Sequence, residues 1–257
     1  MNDFVKDSED MNEIYITIDI DWACDEVFKY TIDYLEKNEI KATFFVTHDT
    51  PLLNRLRQSD LFELGVHPNF QYLLNGSEKQ NNMQEVLERI LNIVPEAKSV
   101  RSHSLVQSSP ILELFKSKGL EYELNLFIPW YSNMKLQVIK HWNGLYRIPY
   151  FWEDDVQCIS HMQGDTRGWN IDELLKHKGL KIFNFHPIHI FLNTHDLNVY
   201  ESVKAHQNDE SMLLKYRSDS REIGAFSVLS KLVNRVKKRN CIAKKIGEIG
   251  KEKQSCE

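Results

Sequence analysis

The sequence predicts an α/β fold, because short apolar strands alternate with amphipathic helices along most of its 257 residues. The first strand, Ile14–Asp19, alternates large β-forming residues without Gly or Pro. A helix with apolar residues at helical spacing follows it, and Lys41–Val46 has the composition of a second strand. Strand, helix and strand in this order imply a right-handed crossover between two parallel strands. An α/β barrel or a doubly wound sheet satisfies this pattern.

The same alternation continues along the chain. Further strands are predicted at Glu63–Val66, Ser99–Val100, Leu120–Leu126, Gly144–Ile148 and Lys181–Phe185. Further helices are predicted at Met83–Val94, Ile111–Lys118, Ile171–His177 and Ala225–Val236. Since no linker rich in Pro, Gly or Ser divides the chain, we predict a flexible lead-in at residues 1–12, a single domain at 13–240 and a charged tail at 241–257.

Composition and charge favour a soluble enzyme. The net charge of −5 gives no electrostatic case for nucleic acid as the main partner. No apolar run approaches the ~20 residues that span a bilayer, and the polar N-terminus lacks the apolar stretch of a signal peptide. The four cysteines are scattered, which suits free thiols in a reducing compartment. We therefore expect a cytoplasmic protein that is not integral to a membrane.

Two carboxylates end the first predicted strand. Asp19 and Asp21 are two residues apart, so in an extended strand their side chains project from the same face. Two such groups repel one another and resist burial, and a bound metal ion or a shared proton relieves that cost. Alternatively, one carboxylate caps the following helix and the other faces water. Glycosyltransferases also carry Asp-x-Asp after a strand, so the motif does not name a reaction.

Histidines and an arginine follow the later strands. His67 comes directly after a predicted strand, as does the Arg101-Ser-His103 run, and His186 ends the apolar strand Lys181–Phe185. The carboxyl ends of parallel strands meet at one edge of an α/β fold, where such folds place their active sites. A histidine there can titrate near neutral pH, since burial lowers its pKa and nearby carboxylates raise it.

In this order the motifs resemble those of the polysaccharide deacetylases, also called the NodB-homology family or family 4 carbohydrate esterases. The family has an aspartate pair after a strand, then Glu-x-Gly-x-His, an arginine motif, and a late apolar strand that ends in a histidine. The resemblance covers roughly Ile14 to Lys238, and the variants Asp-Ile-Asp-Trp, Arg-Ser-His-Ser and Asn-Phe-His-Pro-Ile-His look most like the WbmS-like branch. It implies a distorted (β/α) barrel of about seven parallel strands.

The chain departs from the family pattern at two places. The aspartate pair of the family is adjacent, whereas Ile20 separates the pair here. The second metal-binding histidine of the family lies four residues after the first, and that position is Gln71, whose neutral amide is a poor zinc ligand. Either His103 or Asn69 completes the site, or the metal site is weakened or lost. We favour His103.

The resemblance also implies roles for individual residues. Asp21, His67 and His103 would bind a divalent ion, with Zn²⁺ the first choice and Co²⁺ or Ni²⁺ as alternatives. Asp19 would be the general base, oriented by Arg101, and His186 the general acid. Candidate substrate-binding residues are Trp22, Asn69, Tyr150, Trp152, Asp154 and Asp155; the aspartates could instead orient His186.

These assignments predict a metal-dependent hydrolase that removes an N-acyl group, acetyl or formyl, from a sugar or sugar conjugate in surface-polysaccharide (O-antigen) biosynthesis. The substrate would be a small-molecule or lipid-linked N-acyl sugar. Two other hypotheses remain open. The chain could be a non-catalytic binding protein with a degenerate metal site, as Gln71 suggests, or a glycosyltransferase that uses Asp19-Ile-Asp21.

Overall fold

One curled sheet dominates the computed structural model, which describes residues 12–21, 23–74, 82–206, 209–219 and 221–249. The predicted lead-in therefore lies outside the described residues, except for Asn12, which begins the first strand. The strands are β1 (Asn12–Asp19), β2 (Ala42–Val46), β3 (Phe62–Val66), β4 (Ser99–Val100), β5 (Tyr122–Glu123), β6 (Ile139–Lys140), β7 (Tyr146–Arg147), β8 (Trp152–Glu153), β9 (Ile182–Phe185) and β10 (Cys241–Lys244).

Helices cover the outside of this sheet. They are α1 (Asp25–Lys37), α2 (Leu52–Arg57), α3 (Gln71–Leu74), α4 (Met83–Ile93), α5 (Ser109–Ser117), α6 (Asp154–Met162), α7 (Ile171–Leu175), α8 (Pro187–Leu192), α9 (Leu197–Val203), α10 (Glu210–Tyr216) and α11 (Ala225–Lys237). Of the helices within the described ranges, none is both long and apolar enough to cross a membrane.

The strand order confirms the predicted fold class. It runs β6-β7-β5-β4-β3-β2-β1-β9-β8, with β10 beside β1, and β6–β7 is the antiparallel pair in this order. A parallel bridge between Phe127 and Tyr150 joins the two ends of the curl, which makes a distorted half-barrel of parallel strands. Among the described residues nine strands run parallel: the seven predicted from the sequence and the short strands β8 and β10, which were not predicted.

The two faces of β1 explain how the sheet supports a site. Ile14, Ile16 and Ile18 point outward into the main core, where they pack with the apolar face of α1. The alternate residues Thr17 and Asp19 are also buried but face the barrel interior. A strand buried on both faces is typical of a parallel sheet. Here Tyr15 of the inner face packs in a second apolar cluster, and the polar Thr17 and Asp19 follow it toward the end of the strand.

The prediction of a charged tail at 241–257 is wrong for residues 241–249, which pack against the sheet. Strand β10 pairs in parallel with Asn12–Tyr15 of β1, and Ile246 is fully buried behind it. The backbone N–H of Gly247 donates to Oε2 of Glu63 at 2.8 Å, so the segment is also joined to β3. The strand alternates buried and half-buried residues, but its buried positions are small and it ends in Lys244, so the alternation is hard to recognise in the sequence. Residues 250–257 lie outside the described residues.

Removing β10 should destabilise the protein. A chain that ends at Asn240 loses the burial of Ile246 and Ile249, worth about 3–6 kcal/mol together. We expect its Tm in thermal unfolding to fall by at least about 6 °C relative to a control chain that ends at Ile249. Equal Tm values for the two chains would contradict the docking of this segment.

Candidate active site

Strands β1, β3, β4 and β9 bring their terminal polar residues to one small cavity. It has a volume of about 80 Å³. Because these strands are parallel, their carboxyl ends meet at the same rim of the half-barrel. Its lining includes all six residues that the sequence analysis assigned to metal binding and catalysis: Asp19, Asp21, His67, Arg101, His103 and His186.

Asp21, His67 and His103 form one compact group. Nδ1 of His103 lies 2.6 Å from Oδ2 of Asp21, and Nε2 of His67 lies 3.5 Å from Oδ1 of the same carboxylate. One potential ligand atom from each residue lies within 4.8 Å of the other two. Zinc with bonds of about 2.1 Å separates tetrahedral ligand atoms by about 3.4 Å, so small side-chain adjustments would suit it.

The local backbone explains why His103 joins this group. After β4, the N–H of Arg101 donates to the carbonyl of Val66, and the N–H of His103 donates to that of Pro68 at 3.0 Å. These bonds tie His103 to the loop that carries His67. Ser104 and Leu105 then adopt φ of 52° and 56°. Non-glycine residues in this left-handed region cost about 1–3 kcal/mol each, a cost often found at functional sites.

The donor set fits a transition-metal ion. Oδ1 of Asp21 is buried and accepts no hydrogen bond within the part of the chain that the structure describes. Burial alone would raise the pKa of Asp21, but the two imidazoles lower it well below its ordinary value. One carboxylate and two imidazoles leave coordination positions for water and substrate, as catalytic zinc sites do.

Two other groups contain enough donors for an ion but fit it less well. One consists of Asp154, His186 and His189, and the other of Asp19, Glu153 and His186. In the first, the carboxylate already accepts two hydrogen bonds from His186. In the second, Asp19 lies against the guanidinium of Arg101, which repels a cation.

Asp19 has a different environment from Asp21. Nη1 of Arg101 donates to Oδ1 of Asp19, and Nδ2 of Asn184 donates to Oδ2, both at 2.9 Å. Arg101 is fully buried, with its guanidinium between the rings of Phe45 and Tyr150 at 4.6 and 4.5 Å. These contacts fix the orientation of the Asp19 carboxylate.

His186 is held by Asp154. Nδ1 of His186 lies 2.7 Å from Oδ1 of Asp154, and the backbone N–H of His186 donates to Oδ2 of Asp154 at 2.7 Å. Nε2 faces the cavity, 4.0 Å from Oδ2 of Asp19. Burial lowers the pKa of His186, but Asp154 and other carboxylates outweigh it and raise that pKa well above its ordinary value. Burial lowers the pKa of His189 to about 4, so the imidazole packed beside His186 is neutral.

Sequence reasoning missed Asn184 and Glu153. Asn184 accepts from Thr17 and Arg101 through Oδ1, and donates to Asp19 and Glu153 through Nδ2. Glu153 lines the cavity and accepts from the Tyr150 hydroxyl at 2.7 Å. Burial and the charge of Asp155 raise its pKa. One feature of the sequence could have identified Asn184. It is a single amide in an apolar strand, two residues before His186 and hence on the same face of the strand.

Two substrate-binding predictions are wrong. Tyr150 and Trp152 are fully buried, so neither ring can stack on a sugar. Tyr150 packs on Arg101, and Nε1 of Trp152 donates to the carbonyl of Gly168 at 2.7 Å. Asp154 is also fully buried and has the alternative predicted role, orienting His186. Trp22 lies outside the described residues.

The remaining substrate candidates face open space. Asp155 lines the small cavity near His186. Asn69 lines a second cavity of about 440 Å³, whose wall also includes Asp21, His67 and His103. This volume is within the usual range for small-molecule sites. The wall also contains Gln71, whose backbone N–H donates to Oδ1 of Asn69 at 3.0 Å. Further lining residues are Thr47, Tyr72, Arg89 and Ile90.

Comparison with known proteins places this geometry in a family. A family model for WbmS-like polysaccharide deacetylases matches residues 16–204. A proposed polysaccharide deacetylase involved in O-antigen biosynthesis, from Bordetella bronchiseptica, is 41% identical; the match covers 86% of this chain and 90% of that chain, with a TM-score of 0.80. The CE4 domain of a xylanase from a Trinervitermes trinervoides hindgut metagenome shares the fold, with 15% identity, 95% and 92% covered, and a TM-score of 0.50. A search of curated proteins found no match.

Metal content should distinguish His103 from Gln71 as the third ligand. We expect about one zinc ion per chain in protein purified without a metal-affinity tag, and a large loss in His67→Ala and His103→Ala, because each variant removes one nitrogen donor. The matched variant Gln71→Ala should keep its metal. Elemental mass spectrometry measures this, and metal loss in Gln71→Ala alone would contradict the assignment.

Proposed function

The chain belongs to the WbmS-like polysaccharide deacetylases, as its motifs predicted, and we propose that it is a metal-dependent hydrolase that removes an N-acyl group from a sugar or sugar conjugate. One observation carries this proposal. The group formed by Asp21, His67 and His103 shares a cavity with an oriented carboxylate, Asp19, and a protonated histidine, His186. Amide hydrolysis needs an activated water molecule and a proton for the leaving amine, and this cavity has groups for both.

Asp21, His67 and His103 would hold the metal ion. When bound, a divalent ion supplies a Lewis acid for the acyl carbonyl and lowers the pKa of water. The three residues sit on the ends of β1, β3 and β4, so the rigid parallel sheet fixes their separation. The metal identity that we propose is zinc, since nitrogen-rich sites with one carboxylate suit it.

Asp19 would act as the general base toward the attacking water. Arg101 and Asn184 each donate to one of its oxygens, and these bonds fix the plane of the carboxylate. Each carboxylate oxygen keeps a further lone pair for the water proton. The pairing also prevents Asp19 from turning toward Asp21, so the two carboxylates keep separate roles.

His186 would give a proton to the departing amine. The Asp154 carboxylate fixes the imidazole through Nδ1, which leaves Nε2 directed into the cavity. Because Asp154, Asp155 and Asp19 together raise its pKa, the imidazole carries its proton at neutral pH. Nε2 of His186 lies 4.0 Å from Oδ2 of Asp19. The protonated imidazole and this carboxylate together suit the two proton transfers of amide hydrolysis.

We place the sugar in the cavity of about 440 Å³ beside the metal-binding group. Its side-chain amides Asn69 and Gln71 can pair with sugar hydroxyls. The acyl group that leaves would be acetyl or formyl. By analogy with the Bordetella bronchiseptica relative, the product would enter O-antigen biosynthesis. Cys158 and Cys241 are buried free thiols, which supports a reducing compartment and hence a nucleotide-linked or lipid-linked precursor.

Loss of the imidazole at position 186 should lower the rate strongly. For His186→Ala we expect kcat on an N-acyl sugar to fall by about 10²–10⁴-fold, because general acid catalysis contributes this much. The metal content should stay unchanged, which separates lost chemistry from a lost site. Turnover within a few-fold of the parent enzyme would exclude His186 as the acid.

The charge of Asp154 should set the upper pH limit of activity. His186 keeps its proton below its raised pKa and loses it as the pH rises through that value, so activity should decline on the alkaline side. Asp154→Asn removes the carboxylate that raises this pKa. We expect the alkaline limb of the kcat/KM profile to move toward lower pH.

The matched control for this shift is Asp60→Asn, an exposed carboxylate before β3. Its profile should coincide with that of the parent enzyme. An Asp154→Asn profile with an unmoved alkaline limb would contradict the role of Asp154.

A further inference from the structure

One stretch of the chain differs sharply in charge from the rest. Residues 124–152 contain no Asp or Glu, although the whole chain has 37 acidic residues and a net charge of −5. The stretch includes Lys135, Lys140 and Arg147. Arg147 pairs with buried Glu123, so the lysines supply the exposed positive charge.

Four large apolar side chains are exposed within the 131–142 segment. Tyr131 is 52% exposed, Met134 55%, Ile139 44% and Trp142 68%. Lys135 and Lys140 are exposed between them. Nζ of a further lysine, Lys116 of α5, donates to the carbonyl of Gly144 in the turn beside Trp142. Exposed aromatic and apolar side chains alternating with lysines are unusual on a monomer surface and indicate a binding surface.

The segment is anchored at the edge of the sheet. The backbone N–H of Leu136 donates to the carbonyl of Lys178 at 3.2 Å, and that of His141 donates to the carbonyl of Leu145 at 2.8 Å. Trp142 lies in the turn between β6 and β7. Because β7 runs parallel to β5, this turn lies at the N-terminal end of the parallel strands, opposite the end that carries the active site.

We propose that the 131–142 segment docks this protein on an anionic lipid membrane surface. Tryptophan and tyrosine side chains favour the boundary between head groups and acyl chains, and lysines are attracted to anionic lipids. A second copy of the chain is a poorer occupant, since its own lysines would meet these and the segment offers no carboxylate to pair with them. The exposed side chains of the 131–142 segment therefore suit a partner that is both apolar and negatively charged.

This docking leaves the active site open. With Trp142 in the membrane, the cavity at the opposite ends of the strands faces the solvent. The proposal does not rest on the proposed function, since it concerns a different face of the molecule. Binding to vesicles should therefore change neither the metal content nor the turnover of a water-soluble substrate.

Co-sedimentation of the full chain with lipid vesicles tests the proposal. At low salt we expect pelleting with vesicles of equimolar phosphatidylcholine and phosphatidylglycerol, and little with phosphatidylcholine alone. Lys135→Gln and Lys140→Gln should each weaken binding by about fivefold, and high salt should weaken it further. Trp142→Ser with Met134→Ser should weaken it by about tenfold or more.

Matched controls keep the result interpretable. Met162→Ser on α6 and Lys231→Gln on α11 remove an exposed apolar and an exposed cationic side chain elsewhere, and both should bind like the parent chain. Unchanged thermal unfolding of each variant excludes misfolding. Absence of pelleting with anionic vesicles, or binding by the Trp142→Ser, Met134→Ser double variant equal to that of the parent chain, would overturn the proposal. Concentration-dependent dimers lost in the same variants, without vesicle binding, would assign the surface to self-association instead.

Discussion

The buried ion pair between Arg101 and Asp19 is the interaction on which the interior of this half-barrel depends. It joins β1 to the end of β4, and Asn184 extends it to β9. Burying two charges is costly unless geometry and further hydrogen bonds compensate, and removing one partner of such a pair typically costs about 3–5 kcal/mol. Here Thr17 and Asn184 accept from the guanidinium, and Phe45 and Tyr150 cover its two faces. The pair therefore fixes the relative positions of three strands and the plane of one carboxylate.

Two aspartates that are two residues apart have different environments because their partners differ. Asp19 meets a cation and an amide that donate to it, whereas Asp21 meets two imidazoles and keeps one oxygen without a hydrogen bond among the described residues. The first environment suits the proposed general base, and the second suits the proposed metal ligand. Ile20, between them, points outward into the main core. Because side chains alternate between the two faces of a strand, both carboxylates point inward although Ile20 separates them. The separated pair is therefore compatible with one proposed base and one proposed metal ligand.

Sequence patterns predicted the strands that end in polar residues, since apolar runs and their order along the chain are local features. They did not predict β10, whose alternating buried positions are small or mixed with lysine. They misplaced Tyr150 and Trp152, because residue type does not tell whether an aromatic side chain faces the cavity or the packing behind it. Asn184 and Glu153 were missed for a related reason: a single buried amide or carboxyl is recognisable only when its partners, from distant strands, are known.

In the proposed metal site, the third ligand, His103, comes from a different part of the fold than the second histidine of the family pattern would. A ligand at position 71 would come from α3, on the same loop as His67. His103 comes instead from the turn that follows the adjacent strand β4, and its N–H bond to the carbonyl of Pro68 holds the two imidazoles at a ring separation of 5.5 Å. If His103 is the third ligand, the residue at position 71 is not needed to bind the ion. Gln71 lines the cavity of about 440 Å³, where its side-chain amide could pair with a hydroxyl of the proposed sugar substrate.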